Sequence, residues 1–83
     1  MSSPLWQVFT LRVSAEADPG ALARILERFT NLNLTPRRVV AEWGINDTLH
    51  VQVDIAGLPE ERISLIAAKL DQVPSIVRAY WHR

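Results

Sequence analysis

Residues Thr48 to Ile55 alternate without a break: Leu49, Val51, Val53 and Ile55 fall on one parity, Thr48, His50, Gln52 and Asp54 on the other. Successive side chains of a strand lie on opposite faces, so this segment reads as a strand with one buried and one wet face. That is the pattern of an antiparallel sheet covered on a single side. The rest of the chain must supply the cover. Leu22, Ile25, Leu26 and Phe29 recur at helical spacing, with Arg24, Glu27 and Arg28 on the solvent side. Ile63, Ile66, Ala67 and Leu70 form a second apolar stripe after Pro59, Glu60 and Glu61, a proline and two acids that suit a helix start. Pro74 ends it.

Three further strands complete the pattern. Trp6 to Val13 is rich in β-branched and aromatic residues, with Phe9, Leu11 and Val13 on one side. Asn31 and Asn33 stop the first helix, and Leu34 to Trp43 reads as the second strand, leading into a hairpin turn at Gly44-Ile45-Asn46-Asp47. Pro36 cannot donate a ladder bond, so the regular part of that strand begins after it. Ile76 to Trp81 is the fourth strand. Short links and right-handed crossovers then favour an α+β, ferredoxin-like βαββαβ sandwich: a four-stranded antiparallel sheet, order 4-1-3-2, with two helices on one face. The expected organisation is one domain over residues 1–83.

Composition closes off several function classes. Nine basic and nine acidic residues give a formal net charge of +0, which argues against a nucleic-acid platform, and a paired aromatic platform is missing from the third strand. The absence of cysteine removes disulfides and thiolate chemistry. His50, Asp54 and His82 have no recognised ligand spacing, so no metal is expected, and no cofactor. No nucleophile context accompanies the serines, and catalysis is not expected. Residues 1 to 13 lack a charged segment followed by an apolar one, and no apolar run approaches the roughly 20 residues of a membrane span, so the expected location is the cytoplasm.

The candidate ligand site is Asp18-Pro19-Gly20-Ala21-Leu22, between the first strand and the first helix. Asp18 can cap the helix, Pro19 suits its first position, and Gly20, Ala21 and Leu22 would offer backbone N–H groups to a carboxylate. Asp18 would then meet an ammonium group. The same five residues also suit a plain capped helix with no ligand. On the second strand, Arg37, Arg38, Val40 and Trp43 are candidate interface residues. The adjacent arginines must point to opposite faces, and either a solvated role or an ion pair across a subunit boundary fits them. Trp6, Trp43 and Trp81 suit a core, with Trp43 or Trp81 expected at an interface. His50 sits on the polar face as a solvated or interface residue.

This element order, with Asp18-Pro19-Gly20-x-Leu22 at the first strand-helix junction, resembles the ACT domain, a regulatory module that commonly binds amino acids. Val13-Ser14-Ala15 before the loop, Leu22-Ala23-Arg24-Ile25-Leu26 after it and Leu70-Asp71-Gln72-Val73 near the end resemble the short regulatory subunit of acetolactate synthase. The resemblance implies a non-catalytic subunit that forms a homodimer or larger assembly, binds a small amino acid, and tunes the acetolactate synthase catalytic subunit in branched-chain amino-acid biosynthesis. The longer subunits of that enzyme carry a further C-terminal domain, so the resemblance is to the shorter type. A free-standing protein-interaction module without a metabolite is the alternative.

Overall fold

A computed structural model describes residues 7–83; Trp6 lies outside the described residues. The strands are β1 (Val8–Glu16), β2 (Arg38–Trp43), β3 (Thr48–Ala56) and β4 (Ile76–His82), and the helices are α1 (Ala21–Asn31) and α2 (Glu60–Asp71). All pairings are antiparallel and the sheet order is β2-β3-β1-β4, the expected order read from the other edge. Phe9, Leu11, Val13 and Ala15 of β1 face the same side as Leu49, Val51, Val53 and Ile55 of β3, and each of these residues is buried. From the helices, Ala21, Ile25 and Phe29 of α1 and Ile63, Ile66, Ala67 and Leu70 of α2 close this core.

Several boundaries differ from the sequence expectation. β1 runs three residues past Val13, because Ser14, Ala15 and Glu16 keep pairing with His50, Leu49 and Thr48. α1 begins at Ala21, not at Pro19: the Asp18 carbonyl accepts the Ala21 N–H at 3.1 Å and folds a turn that holds Pro19 and Gly20 ahead of the helix. Leu26, expected within the buried stripe, is only half-buried at its flank. The helix ends on Asn33 in the left-handed region (φ 59). There the Asn33 N–H donates to the Thr30 carbonyl and the Leu34 N–H to that of Phe29, the paired bonds of a Schellman ending. β2 starts at Arg38 rather than Leu34, as Pro36 requires. At the hairpin, Asn46 (φ 60) and Asp47 (φ 54) take the positive angles, which these short polar side chains tolerate.

The largest difference concerns cover. Two helices do not shield the whole sheet. Val39, Ala41 and Trp43 lie opposite Val53, Val51 and Leu49, on the core side of the sheet, yet Val39 is 39% and Trp43 70% exposed. The helix-side face of edge strand β2 is bare. Trp81, on the other edge, is half-buried and meets Phe9 edge-to-face with ring centroids 5.4 Å apart, a favourable aromatic geometry.

Candidate functional site

The β1–α1 junction gathers the five candidate residues around Asp18. One carboxylate oxygen, Oδ1, accepts the Gly20 N–H at 2.7 Å, and Oδ2 accepts from Arg24 Nη2 at 2.6 Å. The Gly20 N–H, then the Arg24 guanidinium, hold the Asp18 carboxyl below its ordinary range. Arg24, read from sequence as a solvent-facing helix residue, is therefore a clamp on the loop. It also lies over Gly20, where an added Cβ would stand 2.7 Å from Arg24 Nη1. The Gly20 N–H expected to meet a ligand is bonded within the loop. Leu22 and Ala23, in the first turn, retain N–H groups with no partner four residues back.

Beside this clamp opens a cavity of about 270 Å³. Ala21 and Arg24 line its mouth, and Ala15, Ile25, Leu70 and Ile76 give it an apolar floor. Glu27, Arg28, Asn31 and Ser75 complete the rim. Of the five candidate residues only Ala21 lines this hollow; Asp18, Pro19, Gly20 and Leu22 do not, and Asp18 is connected to it through Arg24. Pro19 is exposed at the turn and Leu22 half-buried.

The candidate interface residues lie together on β2 but not on one face. Arg38 and Val40 register opposite Asp54 and Gln52 on the outer sheet face, whereas Trp43 registers opposite Leu49 on the helix side. Arg37 precedes the strand, and its N–H donates to the Asp54 carbonyl at 2.7 Å. Val39 joins Trp43 on the helix side, a neighbour that period-two parity alone would have supplied. Arg38 and Arg37 are both exposed, and neither makes an ion pair among the described residues.

Local pairs occupy the outer sheet face. Ser14 Oγ and His50 Nδ1 are 3.1 Å apart, Arg12 Nε donates to His82 Nε2 at 2.9 Å, and Asp54 accepts from Thr10 and Gln52. Among the described residues no cluster of three or more His, Asp or Glu is placed to hold a metal ion. No helix there is long and apolar enough to cross a membrane.

A sequence profile described as an ACT-like domain matches residues 6–83. The chain belongs to this ACT-like family. No curated protein matches it significantly in sequence. Among solved structures, the ACT domain of GTP pyrophosphokinase from Chlorobium tepidum superposes with a TM-score of 0.76 at 13% identity, covering 92% of this chain and 85% of that one. The C-terminal domain of the MgtC protein from Mycobacterium tuberculosis gives 0.74 at 16% identity, covering 99% and 92%. A homoserine dehydrogenase from Thiobacillus denitrificans gives 0.73 at 17% identity, covering 92% of this chain but only 17% of the enzyme's. At these identities the structural likeness establishes the ferredoxin-like fold. Membership of the ACT-like family places the chain among generally regulatory, non-catalytic modules that commonly bind small amino acids and dimerise.

Proposed function

We propose that this ACT-like domain is a regulatory subunit that dimerises through β2, binds a small amino acid at Asp18–Leu22 and modulates acetolactate synthase in the cytoplasm. The observation that carries the reading is Arg24, which is paired with Asp18 and also lines the adjoining cavity of mixed polar and apolar character. An amino acid is a zwitterion of matching size. Its ammonium would engage Asp18 and its carboxylate Arg24, exchanging one internal ion pair for two with the ligand at no change in net charge. The N–H groups of Leu22 and Ala23, at the positive end of α1, would add to the carboxylate's binding. An aliphatic side chain would enter between Ala15, Ile25 and Leu70. The enzyme partner follows from the sequence resemblance of Val13-Ser14-Ala15, Leu22–Leu26 and Leu70–Val73.

A melting-temperature screen of the amino acids, with the chain alone and mixed with an acetolactate synthase catalytic subunit, tests this. One aliphatic amino acid is expected to raise the melting temperature, since a ligand at one hundred times its dissociation constant adds about 2.7 kcal/mol. Asp18→Ala and Arg24→Ala should each abolish the shift. The second reading, an interaction module without a metabolite, has its own support: Asp18 and Gly20 already satisfy each other. It prevails if no amino acid at millimolar concentration produces a shift in either setting.

A further inference from the structure

A groove lies between α1 and α2, lined by residues of both. Its wide end is the cavity beside Ala21, and a second hollow of about 130 Å³ continues it toward the end of α1, with Arg28 and Asn31 lining both. Ile66 is nearly buried in the second hollow, while Leu32 and Leu65 flank it at 43% and 50% exposure. Two leucines lining one trough form a contiguous apolar surface rather than scattered residues.

Charge along this groove is one-sided. The chain carries nine basic and nine acidic residues, but the groove gathers Arg24, Arg28, Arg62 and Lys69 against Glu27 alone. Arg24 is neutralised by Asp18, whereas Arg28, Arg62 and Lys69 make no ion pair among the described residues. Residues 1–6 contain no acidic side chain that would supply one. Aliphatic stems of these cations extend the apolar walls while their charges stay at the rim.

We propose that the groove between α1 and α2 is the docking site for an acidic amphipathic helix of another protein. Its apolar stripe would lie over Leu32, Leu65 and Ile66, and its Asp or Glu flanks against Arg28, Arg62 and Lys69. From Arg24 to Leu32 the wall extends about 12 Å at 1.5 Å per residue, enough for two turns of a partner helix, the helix-in-groove mode of recognition. The helices of a second copy do not meet this description, because their apolar stripes are buried in that copy's own core. The groove shares Arg28 and Asn31 with the cavity proposed for the amino acid, but its apolar contacts, Leu32, Leu65 and Ile66, lie outside that cavity.

The test uses synthetic helical peptides of about 15 residues with leucine at i, i+3, i+4 and i+7. One carries glutamates on its flanks, one carries lysines there, and one has the acidic composition in shuffled order. Fluorescence anisotropy against the full chain should show binding of the acidic peptide, weakened by salt, with the lysine and shuffled peptides about tenfold weaker or worse. Amide NMR shifts should centre on Arg28, Asn31, Leu65 and Lys69. Arg62→Glu combined with Lys69→Glu, both exposed, should weaken the acidic peptide about tenfold and improve the lysine peptide, while leaving the melting temperature near that of the wild type. Asp18→Ala, which frees the Arg24 charge at the wide end of the groove, should leave binding of the acidic peptide at least as strong while abolishing the amino-acid response, which separates the two results. Equal binding of the three peptides, shifts confined to the outer sheet face, no binding at millimolar peptide, or capture of anionic phosphatidylglycerol vesicles in place of the peptides would each overturn the proposal.

Discussion

Asp18 accepts two hydrogen bonds, from the Gly20 N–H and from Arg24, and both are stronger when its carboxylate is charged. Its pKa is therefore lower folded than unfolded, so its contribution to stability is full above the ordinary aspartate value of 3.8 and is lost as pH falls through the depressed value. Asp18→Asn should accordingly melt below the wild type at pH 7, and the gap should close in acid. Thermal melts across this range check it, and a gap of the same size at pH 7 and at about pH 3 would contradict the assigned cause. The loop was legible in the sequence as a loop because Pro19 and Gly20 punctuate the chain there. The Arg24 clamp was not legible. A contact between residues six apart depends on how the turn at Pro19–Gly20 aims α1, and period alone places Arg24 simply on the wet face.

At the level of elements, parity and helical period gave the face on which each side chain lies, and on β1 and β3 that face is the buried one. β3 shows this most plainly: Val51 is 2% exposed and registers with Val13, while the neighbouring Gln52 turns outward to Asp54. Val51→Ala should destabilise the fold measurably, whereas Gln52→Ala should stay within about 1 kcal/mol of wild type in denaturant melts. On α1, Ile25→Ala should cost about 2–5 kcal/mol, and Leu26→Ala less, because Leu26 is only half-buried. Equal costs at Ile25 and Leu26 would mean that the stripe is centred wrongly. Cover is a property of the packed layers, not of any one segment. Nothing in the pattern Arg38–Trp43 says that no helix passes over Val39 and Trp43, and nothing in either helix alone reveals the hollow between them.

For the molecule as a whole, size and the bare edge point the same way. A domain of about this length buries only about 60% of the surface its unfolded chain exposes, leaving little margin of stability. β2 adds an unpaired line of backbone donors and acceptors, the kind of edge natural sheets protect. Its helix-side face presents Val39 and Trp43, with Ile45 84% exposed at the adjoining turn. A second copy placed about a twofold axis, β2 against β2, would continue the sheet through both chains and cover Val39 and Trp43 together. Such a dimer gains stability by mass action, so the melting temperature of the wild type should rise with protein concentration. Sedimentation equilibrium at high micromolar concentration should give twice the chain mass. Val39→Asp with Trp43→Asp places charges on the joined face, and this variant should sediment as a monomer whose melting temperature no longer depends on concentration. The side chains changed are exposed in the single chain, so the fold itself should survive, as far-ultraviolet circular dichroism would verify. A wild type that sediments at the monomer mass under these conditions, with or without amino acid, would remove β2 as the interface and leave its tryptophan for a different partner.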